Sequence, residues 1–297
     1  MNKDLTLIAT LPNINYKDKI IRILECPYIG EVRYNTGTNE LMSTKELVNI
    51  LKMLEDTYKK RIWVDLKGRQ LRIAKWADPL YDVVELNHDI EIEYPATILF
   101  RNGCVSNILK TRGNKIIVAP APKEAVGAGQ SVNILAKSLD IKGYLTEKDM
   151  ELLEHCKEAN LNNIMASFVE RPSDLSDITS ILPNADIVCK IESLKGLKFM
   201  LETPGLSLMA ARDDLFIEMG ESNNIIRALE QIVMMDKEAI CASRIFPSLK
   251  RKTLPELTDY SDLKLMQLMG YKRFMLDDTI SHHHFNEAIA SWQKVLK

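Results

Sequence analysis

The chain has 297 residues, enough for two domains or one large one at about 150 residues per domain. Hydrophobic residues at 46% and charged residues at 27% exclude a disordered or fibrous chain, and 39 basic against 41 acidic residues leave a net charge of −2 with no footprint for nucleic acid or an anionic membrane. Five cysteines without a C-x-x-C pair exclude a disulfide framework and a zinc finger, and a cytoplasmic location is expected. No run approaches the ~18 apolar residues of a membrane span, and the first apolar stretch, Leu5 to Leu11, is too short for a signal peptide. Glycine is scarce, 12 residues or about 4%, against a usual level near 7%.

Leu5 to Leu11 reads as the first strand, followed by an amphipathic helix with Ile20, Ile21 and Leu24 at helical spacing. Glu31 to Asn35 is the second strand. Thr44 to Lys59 is a strong helix, with Ser43 as N-cap and an apolar face of Leu47, Ile50, Leu51 and Leu54. Ile62 to Leu66 is the third strand. From 75 to 143 the rhythm changes to short alternating runs, Val83 to Leu86, Ile90 to Tyr94, Ile98 to Phe100 and Ile116 to Val118, with a hairpin turn at Arg101-Asn-Gly-Cys104. The spacing predicts a β-rich insertion there, without a long helix. The βα rhythm resumes with a helix at Thr146. Strands are predicted at Asn163 to Phe168, Asp186 to Ile191, Leu206 to Ala211, Ala239 to Ala242 and Arg273 to Leu276, with helices starting near Pro172, Ser193, Asn223, Tyr260 and Phe285. Outside the insertion this is eight strands and eight helices in about 228 residues, which suits a (β/α)8 TIM barrel. The expected division is therefore a barrel of residues 1–74 and 144–297 carrying a small insertion of residues 75–143 after strand three. An open doubly wound sheet is the alternative, but its Gly-x-Gly-x-x-Gly loop is missing.

In such a barrel the chemistry sits where strands end. The strand ends here read Arg33-Tyr-Asn35, Asp65-Leu-Lys67 through Arg72, Ser167-Phe168, Lys190-Ile-Glu192, Arg212-Asp213-Asp214, Ser243-Arg244 and Asp277-Asp278. A Glu and an Asp on adjacent strands suit a hard divalent cation. Interleaved Arg and Lys suit phosphate or carboxylate. Together they point to an anionic, oxygen-rich substrate held on Mg2+ or Mn2+.

The same segments resemble the pyruvate kinase family over most of the chain. Val32-Arg-Tyr-Asn35 is similar to that family's Arg-x-Asn motif, and Asp65-Leu-Lys-Gly-Arg-Gln-Leu-Arg72 to its Asp-Thr-Lys-Gly-Pro-Glu-Ile-Arg. Leu145-Thr-Glu-Lys-Asp149, Ala166-Ser-Phe-Val169, Lys190-Ile-Glu192 and Met209-Ala-Ala-Arg-Asp-Asp-Leu215 follow in the family's order, and the β-rich insertion falls where the family carries its lid. The resemblance implies that Arg33 and Lys190 bind the transferring phosphoryl group, with Lys190 also stabilising the enolate of pyruvate. It implies that Glu192 and Asp214 hold Mg2+ or Mn2+, and that Ser243 and the Asp213–Asp214 turn serve the substrate carboxylate. Asn35 and Asp65 would lie on the monovalent-cation side and Asn35 and Arg72 on the nucleotide side. The implied partners are phosphoenolpyruvate or pyruvate and ADP or ATP. A homo-oligomer is left open.

The departures fall on function. Asp213 stands where the family has Gly beside its metal-binding Asp, and Phe216 replaces a second Gly. Thr36-Gly37-Thr38 replaces Phe-Ser-His, and Gln70 replaces a Glu, so potassium dependence is not expected with the same force. The resemblance leaves no counterpart here for the family's C-terminal regulatory domain, and no sugar-phosphate allostery of that kind is expected. Three consecutive imidazoles, His282, His283 and His284, read as a solvated loop or helix cap, with metal binding as the alternative. Asp277-Asp278 reads as an acidic patch or, through Asp278, as a helix start. Cys189 reads as a packed core thiol. Three functions are carried: phosphoryl transfer between phosphoenolpyruvate and ADP; metal-dependent lyase, aldolase or proton-exchange chemistry on a pyruvate enolate; and a non-catalytic binding protein.

Overall fold

A computed structural model describes residues 5–37, 42–77, 82–100, 103–123, 126–136, 138–219 and 224–296. The chain divides into two compact units, one of Met1–Leu66 with Glu151–Lys297, the other Lys67–Met150.

In the first unit eight parallel strands close into a barrel: β1 (Thr6–Leu11), β2 (Ile29–Asn35), β3 (Ile62–Leu66), β4 (Asn163–Ala166), β5 (Asp186–Ile191), β6 (Ser207–Ala211), β7 (Ile240–Ala242) and β8 (Arg273–Met275). Each strand pairs with its neighbours in chain order, and β1 closes on β8 through Ile8↔Met275. The helices between them are α1 (Lys17–Glu25), α2 (Thr44–Tyr58), α3 (Glu147–Ala159), α4 (Pro172–Ile181), α5 (Leu194–Glu202), α6 (Arg212–Met219), α7 (Ile225–Met235), α8 (Leu257–Met269), α9 (Asp278–His283) and α10 (Phe285–Val295). This is the expected (β/α)8 barrel. Helix α6, helix α9 and a short 3-10 turn at Pro247–Lys250 are additions to the expected count. In α1 the buried residues are Ile20, Ile23 and Leu24, and Ile21 faces solvent, a correction of the apolar face by part of a turn. Thr38, Arg101, Asn102 and Asn223 of the expected turns and helix starts lie outside the described residues.

Side chains alternate across a strand with a period of two. The barrel interior is set by one packed cluster, Ile8, Trp63, Met165, Val188, Met209, Ile240, Ala242 and Met275, drawn from seven of the eight strands. Two residues further along the same parity come Thr10, Asp65, Ser167 and Lys190, and Glu192 follows just past the end of β5. The polar groups are thus the interior layer above the apolar plug, at the C-terminal ends of the strands, where barrels place their chemistry. Helix α2 starts on a capping box: Ser43 Oγ accepts from the Glu46 N–H at 3.3 Å, and Glu46 accepts from the Ser43 N–H at 3.0 Å.

The second unit is a five-stranded antiparallel sheet in the order 132–135, 96–100, 105–112, 115–119, 83–85, with two further two-stranded pairs. It has its own core, including Leu71, Val84, Leu86, Ile98, Phe100, Ile116 and Ile134. Among its described residues from 75 to 143 there is no α-helix. No helix among the described residues is long and apolar enough to cross a membrane.

Candidate active site

Asp65, the fourth residue of β3, is fully buried. Its Oδ2 accepts from Arg33 Nε at 3.0 Å and also from Nη2, and its Oδ1 lies 3.3 Å from Lys190 Nζ. Lys190, from β5, donates to Ser167 Oγ at 2.8 Å and stands 3.0 Å from Glu192 Oε1. Glu192 Oε2 accepts the Phe168 backbone N–H at 2.8 Å. That amide is presented by a residue in the left-handed region, φ 50°, which is costly for a bulky side chain and is held by the surrounding structure. Burial works against the charged form of Lys190. The Asp65 and Glu192 carboxylates overcome it and hold the ammonium above its ordinary range. Burial pushes the Glu192 carboxyl up to about 7, and the Asp214 charge adds to that against the pull of Lys190.

Across the mouth, Arg33 Nη1 donates to Thr10 Oγ1 and to Asp278 Oδ1, each at 3.2 Å. Asn35 Nδ2 donates to Asp278 Oδ2 at 2.9 Å, while Asn35 Oδ1 accepts from the Gly37 N–H at 3.1 Å. Thr10 is positioned by Leu276 and Ser281. The two aspartates after β8 therefore divide their work: Asp278 lies in the first turn of α9, at the helix start read from the sequence, but it is not the cap. The cap of α9 is Asp277, whose carboxylate accepts from the Ile280 N–H at 2.9 Å and pairs with Lys250 at 2.7 Å. Asp278, the first residue of the helix, faces Arg33 and Asn35.

Helix α6 begins immediately after β6 and carries Arg212, Asp213 and Asp214 in its first turn, where acidic side chains complement the helix dipole. Arg212 is structural: it grips Asp262 with two 2.9 Å contacts and donates to the Ala242 and Ser243 carbonyls. Asp213 is at the exposed rim, 2.6 Å from Arg244 Nε, and that guanidinium lies 5.2 Å from the Phe216 ring centre. Its side chain is thus directed away from the buried carboxylates. Ser243 and Arg244 both have positive φ, 66° and 57°, so the loop after β7 is held in a strained turn. Glu218, one turn after Asp214 on α6, is half-buried. Its carboxyl is pushed up to about 7 by burial and then by the Glu170 and Asp214 charges. Sequence reasoning passed over it, although an i, i+4 acidic pair starting at Asp214 was there to read.

A Mg2+ ion commonly takes one or two protein carboxylates and completes its shell with substrate oxygens and water. Glu192 and Asp214 fit that pattern: burial, and after it the Asp214 charge, raise the Glu192 carboxyl, and a divalent cation between the two would favour their charged forms. Asn35 and Asp65 fit a monovalent cation less well. Asp65 already has two cationic side chains on it, and the Asn35 oxygen accepts from Gly37. Arg72 belongs to the second unit, where its guanidinium is held by Gln70 Oε1 and the Gly129 carbonyl. The histidines stay apart from the carboxylate pair's chemistry: His282 is half-buried with its imidazole pulled down by burial, His283 is exposed, and His284 is the C-cap of α9. Among the described residues no three His, Cys, Asp or Glu side chains gather into a metal cage. Cys189 is a buried thiol pushed up to about 12 by its surroundings, as a core residue would be.

The fold and the site define a (β/α)8 barrel whose strand ends gather buried cations and carboxylates. The sequence profile described as pyruvate kinase, barrel domain, matches residues 80–285, so the chain belongs to the pyruvate kinase family. Pyruvate kinase from Geobacillus stearothermophilus is 23% identical over 99% of this chain and 57% of its own length. The human pyruvate kinase PKLR is 25% identical over 74% of this chain and 41% of its own, and the Chlamydia muridarum enzyme 24% identical over 98% and 68%. The chain spans about half the length of the first two of these relatives.

Proposed function

We propose that this barrel carries a pyruvate kinase-type phosphotransferase site, moving a phosphoryl group between phosphoenolpyruvate and ADP through the enolate of pyruvate. The observation that carries the reading is the buried Lys190, kept protonated beside Asp65 and Glu192 and aimed by Ser167. A fixed ammonium in a water-poor site stabilises negative charge that develops on an enolate oxygen, at no reorganisation cost at the moment of reaction. Glu192 and Asp214 would hold the divalent cation, which when bound supplies Lewis-acid polarisation and a template for substrate oxygens. Arg33 presents a planar fork suited to phosphoryl oxygens. Ser243, fixed through its carbonyl by Arg212, offers a hydroxyl for the substrate carboxylate or a proton-relaying water. Asn35 is the barrel residue proposed for the nucleotide side.

Pyruvate formation from phosphoenolpyruvate and ADP with Mg2+, followed in a coupled assay with and without K+, tests the reading. Turnover that falls at least about 100-fold in Lys190→Ala is expected from loss of an oxyanion partner. Absence of turnover at high enzyme concentration, with Lys190→Ala equal to wild type, would sink it. A second reading, enolate chemistry without a nucleotide, is favoured by the engagement of Arg33 with two carboxylates, Asp65 and Asp278. Deuterium exchange into the methyl group of pyruvate without nucleotide is its signature.

A further inference from the structure

Asp278 is out of place for a site that takes a phosphoryl dianion. Four of the five N–H donors of Arg33 are directed at Asp65, Thr10 and Asp278. The contacts to Asp65 and Thr10 are buried, and each of those partners is itself anchored in the barrel. The contact to Asp278 is different. Its side chain is 42% exposed, against 0% for Asp65, and it rides on the first residue of the six-residue α9. One of its oxygens takes Arg33 Nη1 and the other takes the Asn35 amide, a carboxylate bridging two donors as one edge of a phosphoryl group would. The neighbouring Asp277 already performs the capping, so the helix start does not require Asp278.

We propose that Asp278 is an internal competitor for phosphoryl oxygens at Arg33 and Asn35, and that it sets the site's selectivity. The proposal rests on the reading of Arg33 as the phosphoryl-binding cation. A phosphoryl-bearing ligand must either displace the Asp278 carboxylate or approach it at close range, like charge against like charge. A ligand that engages only the Glu192–Asp214 end, through its carboxylate oxygens, meets no such cost. The site is therefore biased toward small unphosphorylated dicarboxylate or 2-oxo-acid ligands over phosphorylated ones, by a carboxylate supplied from the start of α9.

The test compares two probes on the whole chain with Mg2+: oxalate, which needs only the carboxylate end, and phosphoenolpyruvate, which needs both. Affinities are measured by calorimetry on wild type, Asp278→Asn and Asp278→Ser, with unliganded melting curves to establish that each variant folds. At close approach in a partly solvated setting, removing one like charge is expected to tighten phosphoenolpyruvate by about fivefold or more, with oxalate changing less than about twofold. Unchanged or weaker phosphoenolpyruvate binding in both folded variants, with oxalate binding intact, would overturn the proposal and leave the site reading standing. Failure of wild type to bind Mg2+ with oxalate at all would overturn the site reading, and the proposal with it.

Discussion

The two sides of the barrel mouth are built from the same kinds of residue and behave differently. On one side Lys190, Ser167, Glu192 and the Phe168 amide form a closed, buried set, with Lys190 within 3.3 Å of each of its three partners. On the other, Arg33 and Asn35 are shared with Asp278, a half-exposed residue of a short helix. Asp65 joins the sides, one oxygen facing each. The first side can hold charge in place during a reaction. The second has an internal anion on the cation that an anionic ligand would use. The contrast teaches that counting charges at strand ends does not reveal which are available to a ligand.

The largest effect should come from breaking the link itself. Asp65→Asn leaves two buried cations without their shared carboxylate and is expected to destabilise the fold by about 3–5 kcal/mol, read by denaturant unfolding. A loss below 1 kcal/mol would mean the two sides are not coupled through Asp65. Next is Gly196→Ala, which probes the backbone beneath the closed side. A methyl group there would meet the Val169 carbonyl oxygen at 2.9 Å, close to the turn that presents Phe168, and a cost of about 1–3 kcal/mol is expected. A neutral substitution would show that α5 can shift without disturbing Glu192.

The pH dependence sharpens the same contrast. Glu192 and Glu218 have folded-state values of about 7, above the ~4.3 of an unfolded glutamate. Their contribution to stability is therefore fully present below about 4.3 and is lost as pH rises through about 7. Without divalent cation, the melting temperature should fall as pH rises from about 4.3 to about 7, by an amount that shrinks in Glu218→Gln. A wild-type slope that Glu218→Gln leaves untouched would remove that residue from the account. The smallest effect is expected at Ser243, whose φ of 66° glycine adopts without strain. Ser243→Gly should stabilise the fold by up to about 1 kcal/mol while lowering turnover if the hydroxyl serves the substrate. Stability gained with turnover unchanged would remove Ser243 from the proposed chemistry.

Much of this was legible beforehand in particular residues. The alternation of buried strands with helices, and the break in rhythm from about Lys75, announced a barrel with a β-rich insertion. The strand-end Arg33, Asp65, Lys190 and Glu192 were named from position alone, and they meet in one buried cluster. Helix α6 was not expected, because Arg212-Asp-Asp214 reads as a charged loop until Arg212 is seen tied to Asp262 and to the carbonyls after β7. The direction of Asp213 was equally hidden, since it depends on Arg244, a residue supplied by the next strand.

The amino-acid sequence by itself determined the architecture, the family and the strand ends on which charge collects, because hydrophobic period and residue type are local properties. Only the tertiary structure decided which charges face one another. Asp277 and Asp278 are adjacent and chemically identical, yet one caps a helix and the other reaches Arg33 across 245 positions of chain. Closure of β8 against β1 brings those strands together, and the one-residue step along the start of α9 decides which carboxylate faces inward.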